Sequence, residues 1–156
     1  MFYIKNIDHA RWVSALLLVI TMPGVMSVAA GEYLSPDTIE GATTIDAEQL
    51  IALVVKHRDT VLVDSRVGTD RADGYIEGSV YLVDSKTDCD SLARLIGTRT
   101  TPVIFYCNGV HCDRSGRAVG IAVACGYRNV YWFRGGIEEW REKDYPLILD
   151  DSGDDG

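Results

Sequence analysis

Positive charge is in short supply: 15 Lys and Arg face 23 Asp and Glu, for a formal net charge of −8. Neutralising a phosphate backbone needs a basic face, so a nucleic-acid partner is not expected. Any anionic substrate must be held by local positive groups against the field of the whole chain. Cysteine is sparse, with four among 156 residues, which excludes a disulfide-dense scaffold. Proline numbers four and glycine 15, and neither recurs in a period, so a collagen-like or low-complexity chain is excluded too. No internal repeat and no interdomain linker interrupts the sequence. What is there is ordinary globular composition, 47% hydrophobic and 24% charged. The length suits one compact domain burying roughly 70% of its unfolded surface.

The first thirty residues differ in kind from the rest. Lys5 and Arg11 precede an apolar stretch from Trp12 to Ala30 that ends Ser27-Val28-Ala29-Ala30. A basic start, an apolar middle and small residues at the end are the parts of a secretory signal peptide. Residues 1–30 are therefore expected to be cut after Ala29 or Ala30, giving an exported, periplasmic chain whose cysteines can oxidise. If the segment is retained it becomes a membrane anchor, although Pro23 and Gly24 interrupt it short of the roughly 20 residues of a span. A membrane partner is expected only in that case. At the other end, residues 150–156 are acidic without apolar anchors and read as a disordered, solvated tail.

Between about 43 and 149 the pattern alternates. Ala47 to His57 carries Leu50, Ile51, Val54 and Val55 at helical spacing, with Asp46 placed to cap it. Thr60 to Asp64, Ser79 to Leu82, Pro102 to Tyr106 and Asn129 to Phe133 read as strands. Short helices are expected over 90–97, 115–125, closed by Gly126, and 136–143. Strands alternating with helices give an α/β domain with a mostly parallel sheet.

The chemistry concentrates in Cys107-Asn108-Gly109-Val110-His111-Cys112-Asp113-Arg114-Ser115, between a strand end and a helix start. Open α/β sheets bind ligands beyond the carboxyl ends of their strands. A helix N-terminus offers unpaired amides and a positive dipole end, which stabilise a thiolate. Arg114 and Arg117 add charge nearby, as does His111 if protonated. Arg114 either orients an anionic donor or pairs with Asp64 or another carboxylate; Arg117, one turn into the helix, reads as solvated. His111 either tunes a cysteine or is a plain loop residue. A reactive thiolate with an anion cradle suits nucleophilic attack on a small sulfur-rich or anionic substrate.

The stretch Phe105-Tyr106-Cys107, Arg114-Ser115, Gly126-Tyr127, Asn129-Val130-Tyr131, Gly135-Gly136-Ile137 and Trp140 resembles the catalytic half of a rhodanese domain. Leu62-Val63-Asp64-Ser65-Arg66 resembles that family's apolar-Asp-x-Arg strand end, and Gly74-Tyr75-Ile76-Glu77-Gly78-Ser79 its Gly-His-Ile-Pro-Gly-Ala segment. The resemblance covers about 43–149 and implies a three-layer α/β/α domain with a central, mostly parallel sheet. It also implies a sulfurtransferase that takes a sulfane sulfur from thiosulfate or a related donor as a persulfide on Cys107. The sulfur then passes to a thiol, a protein or cyanide, with no cofactor and no metal. Residues 108–115 would form the substrate-binding loop, with Asp64 and Arg66 in support. Two departures stand out. Tyr75 and Glu77 replace the usual His and Pro. Six residues separate Cys107 from Arg114 where common single-domain members have four, and the insertion brings Cys112. The loop looks like that of an exported subgroup with Cys-Asn-Gly-x-x-Cys loops. Cys112, which has four residues before Arg117, is the alternative nucleophile.

Cys112 is either a resolving thiol that forms a disulfide with Cys107 or a bystander. Cys125, ahead of a helix-ending glycine, reads as a small buried apolar group. Cys89 lies between Asp88 and Asp90, which disfavour its thiolate, though it could cross-link. Two rival functions follow: a thiol–disulfide oxidoreductase using Cys107 and Cys112, and a persulfide carrier or protein-binding module. The first lacks Cys-x-x-Cys spacing; a phosphatase of Cys-x5-Arg type is excluded by spacing at both cysteines.

Overall fold

The β-branched runs of the sequence become neighbouring strands of one sheet. The computed structural model describes residues 33–149, so the expected leader and acidic tail lie outside the described residues. The strands are β1 (Thr43–Ile45), β2 (Val61–Asp64), β3 (Val80–Tyr81), β4 (Val103–Tyr106) and β5 (Val130–Phe133). The helices are α1 (Ala47–Lys56), α2 (Gly68–Ala72), α3 (Cys89–Ile96), α4 (Arg114–Ala124) and α5 (Gly136–Glu142), with a 3-10 turn at Asp84–Lys86. The sheet order is β1-β5-β4-β2-β3. Every neighbouring pair is parallel.

All four residues of β4 are buried, as befits a central strand covered on both faces. Alternation sends Val103 and Phe105 into one core with Leu92, Ala118 and Val119, beneath α3 and α4. Ile104 and Tyr106 enter a second core with Leu50, Ile137 and Trp140, beneath α1 and α5. Helices thus cover both faces, in three layers around a parallel sheet. Asp46 caps α1 in a reciprocal box with Gln49, and Asp88 caps α3 with Ser91.

Three features were not read from the sequence. β1 is three residues long and pairs Thr43, Thr44 and Ile45 with Tyr131, Trp132 and Phe133. α2 has no apolar stripe and buries no residue. Cys125 is not a free apolar thiol: it is disulfide-bonded to Cys89 across 36 residues, with Cα atoms 5.5 Å apart. The bond joins the first residue of α3 to the C-cap of α4, two positions that only the packed helices bring together. An isolated antiparallel bridge between Tyr75 and Ile148 ties the C-terminal segment to the loop after α2.

Candidate active site: the cysteine loop beyond the central strand

Cys107 is the first residue past β4, and α4 begins at Arg114. The loop between them lies at the carboxyl edge of the sheet, where open α/β folds bind ligands. Cys107 is bonded to Cys112 in a disulfide with Cα atoms 6.4 Å apart. Of the two alternatives for Cys112, partner or bystander, the structure has the partner. Cys107 is 1% exposed and Cys112 9%.

The loop is anchored from several directions. The first amides of α5 donate to it: Ile137 N to the Cys107 carbonyl at 3.0 Å and Glu138 N to the Asn108 carbonyl at 2.8 Å. This contact needs glycine at 136, where φ is +57° and a Cβ would collide with the Cys107 carbonyl oxygen. Gly109 similarly leaves room for the Glu138 side chain. Inside the loop, Cys112 N donates to the Gly109 carbonyl at 3.0 Å. From outside, Ser35 N donates to the Val110 carbonyl at 2.8 Å, and His111 Nδ1 lies 2.8 Å from the Tyr33 carbonyl. Arg134 holds that N-terminal strap by donating to Ser35 O at 2.8 Å and Ser35 Oγ at 3.1 Å. Ser35 and Arg134 carry no sequence signal, because their pairing spans almost a hundred residues.

Positive charge near the cysteines is matched by carboxylates. Arg114 lies 3.7 Å from Asp70, and its Nη1 is 3.9 Å from the Cys112 sulfur. Its carboxylate partner is therefore Asp70 rather than Asp64. Asn108 Nδ2 donates to the same Asp70 at 2.9 Å. Arg117 is half exposed, yet it is paired rather than merely solvated: it bonds Asp84 at 2.6 Å and also Asp113. Ser115 turns away from the loop, accepting from Trp132 Nε1 at 2.9 Å within the core. Asn108, His111, Cys112, Asp113, Arg114 and Glu138 line one cleft of about 330 Å³. A second cleft of about 190 Å³, with Arg66, Asp70 and Arg141 among its walls, opens beside it.

Asp64 ends the neighbouring strand β2, Arg66 follows two residues beyond it, and both are buried. Arg66 donates to both carboxylate oxygens of Asp64, at 3.0 and 2.7 Å, and to the carbonyls of Asp70 and Gly74. Arg71 adds a bond to Asp64 at 2.9 Å and lies 3.6 Å over the Tyr75 ring. The Tyr106 hydroxyl donates to Asp64 at 2.9 Å and lies 3.0 Å from Ser79 Oγ. Burial alone would raise the Asp64 pKa, but hydrogen bonds and charge from Arg66 outweigh it and hold the carboxyl below its ordinary value. Burial and the Asp64 charge push the Tyr106 hydroxyl up to about 12. This network fixes the chain between β2 and β3 beneath Asp70. Asp64 and Arg66 thus reach the loop through Asp70 and not by direct contact with either cysteine.

A parallel sheet with a cysteine loop beyond its central strand defines an open α/β domain whose loop lies where such folds bind ligands. Residues 46–143 match the Rhodanese-like domain family, and the chain belongs to it. Among solved structures, the chain is similar to the BH2092 protein from Bacillus halodurans, with a TM-score of 0.61 and 24% identity, covering 69% of this chain and 77% of that one. It is also similar to a thiosulfate sulfurtransferase from Pseudomonas aeruginosa, with a TM-score of 0.58 and 22% identity over 69% of this chain and 20% of that one. A third is RPA3614 from Rhodopseudomonas palustris, of unknown function and a possible tyrosine phosphatase, with a TM-score of 0.58 and 23% identity over 72% of this chain and 98% of that one. At these identities the likeness is one of fold. Comparison with curated proteins gives no match.

Proposed function

We propose that this chain is an exported sulfurtransferase that carries a sulfane sulfur on Cys107. Thiosulfate is the donor of choice: the Cys107 thiolate attacks its outer sulfur, the S–S bond of thiosulfate breaks, and sulfite leaves with the electron pair. A thiol or a protein then takes the sulfur from the persulfide. The observation that carries this reading is the place of Cys107, buried at the end of the central strand and followed by the N-terminus of α4. Its sulfur is bonded to that of Cys112, which lies 3.9 Å from Arg114 Nη1, so a cation stands close to any thiolate or persulfide formed in the loop. Family membership supports the reaction class. Asn108, Gly109, Val110, His111, Cys112 and Asp113 form the loop around the sulfur in this reading, and Asp64 with Arg66 braces it.

Because Cys107 is bonded to Cys112, the loop must be reduced before it reacts. The same bond favours a second reading, a thiol–disulfide oxidoreductase in which no sulfur atom is transferred.

Pre-reduced protein mixed with thiosulfate separates the two. Release of one sulfite per chain by wild type and by Cys112→Ser, but not by Cys107→Ser, is the expected result. Sulfite release that survives in Cys107→Ser and stops in Cys112→Ser would move the nucleophile to Cys112. No sulfite from thiosulfate, and no sulfur gained from a small-molecule persulfide either, would leave the oxidoreductase reading.

A further inference from the structure

The geometry points to Cys112 as the internal acceptor of the sulfur: it resolves the Cys107 persulfide, expels sulfide and leaves the disulfide present in the structure. This rests on the sulfurtransferase reading and adds a product to it, together with a need for an outside dithiol.

Three observations lead here. First, the sulfurs of Cys107 and Cys112 reach bonding distance within a loop whose ends are fixed by β4 and α4. An attack between them is intramolecular and needs no diffusing acceptor. Second, the two sulfurs differ in access. Cys107 is 1% exposed and lines neither cleft, whereas Cys112 forms part of the wall of the larger one. In the disulfide form an external thiol therefore meets Cys112 before Cys107. Third, the Arg114 guanidinium stands 3.9 Å from the Cys112 sulfur, so a cation lies beside the sulfur that attacks.

The step balances without an oxidant. The Cys112 thiolate attacks the Cys107 sulfur and supplies the electron pair of the new S–S bond. The bond between Cys107 and its outer sulfur breaks, and that sulfur leaves as hydrosulfide with the proton given up by the Cys112 thiol. An external dithiol then attacks the disulfide at Cys112, the accessible sulfur, and expels Cys107 as a thiolate ready for the next donor. The dithiol leaves as a disulfide. The net reaction converts thiosulfate and a dithiol into sulfite, hydrosulfide and a disulfide.

The test is a single turnover of pre-reduced protein with thiosulfate and no added thiol, reading sulfite, sulfide and intact mass. Wild type should release one sulfite and one sulfide per chain and finish two hydrogens lighter, with peptide mapping placing the new bond between Cys107 and Cys112. Cys112→Ser and Cys112→Ala, whatever their rate of sulfite release, should hold one extra sulfur for each sulfite they release and should release no sulfide. Their sulfur uptake itself shows that the loop is folded. Wild type that keeps the extra sulfur as long as Cys112→Ser, or passes it to Cys112 without sulfide, overturns the inference and leaves the sulfurtransferase reading standing. Absence of sulfite from wild type and both Cys112 variants overturns that reading, and this one with it.

Discussion

At the residue scale, Asp64 stands out as a buried carboxylate bonded to Arg66, Arg71 and Tyr106. Its charge is compensated by partners that would themselves be left buried without it. Asp64→Asn should therefore destabilise the fold by about 3–5 kcal/mol, as removal of one member of a buried ion pair does. Denaturant unfolding at neutral pH measures this; a loss below about 1 kcal/mol, the scale of a surface pair, would place the network among minor contributions. The pH dependence has a definite sign. The folded pKa is depressed below the ordinary carboxylate value, so the stabilisation is present above the unfolded pKa and is lost as pH falls through the folded one. Wild-type unfolding free energy should fall more steeply than that of Asp64→Asn as pH drops from about 4. Asp64 and Arg66 were marked only by the resemblance to a rhodanese apolar-Asp-x-Arg segment, whereas the cysteine loop was marked by its place between the apolar run ending at Tyr106 and a helix start. Asp70, Glu138, Ser35 and Arg134 were silent, since each acts on the loop across a distance in sequence that only the packed sheet closes.

At the element scale, α5 positions the loop by its N-terminal amides, and Gly136 is the residue that permits the approach. Gly136→Ala adds a Cβ against the Cys107 carbonyl and a non-glycine residue at positive φ, which costs about 1–3 kcal/mol. The expected outcome is a lower melting temperature together with slowed sulfite release, because helix and loop must separate. Unchanged sulfite kinetics would detach α5 from the site. All the elements but β1, α2 and the 3-10 turn were read in advance, and among them β2, β4, β5, α1 and α4 carry enough apolar residues in one period to be recognised by that alone. β1 is too short to show a period, and α2, Gly-Thr-Asp-Arg-Ala, has no apolar face because it buries nothing. Its use is to carry Asp70 and Arg71, a placement that leaves no trace in hydrophobic pattern.

At the scale of the whole molecule, the two disulfides have different tasks. Cys89–Cys125 closes a long loop at the end of α4 opposite the cysteine loop, and a cross-link of that span is worth roughly 2–4 kcal/mol, chiefly by restricting the unfolded chain. Cys89→Ser should lower unfolding free energy by that amount while leaving the yield of sulfite per chain intact; a loss of yield would tie the α3–α4 bond to the chemistry. The pairing was invisible in sequence for the reason that makes it effective, its partners being distant along the chain. The short strand β1 carries a consequence of another kind. It lies ahead of the residues that match the family, 46–143, and so does the strap that reaches Val110. Cutting the chain to its recognisable span would strip β5 of its neighbour and turn Val130–Phe133 into an open edge inviting another chain to pair. The portable module, the piece that could be moved into another protein and still keep its cysteines in register, is therefore longer at both ends than the stretch by which its ancestry is recognised.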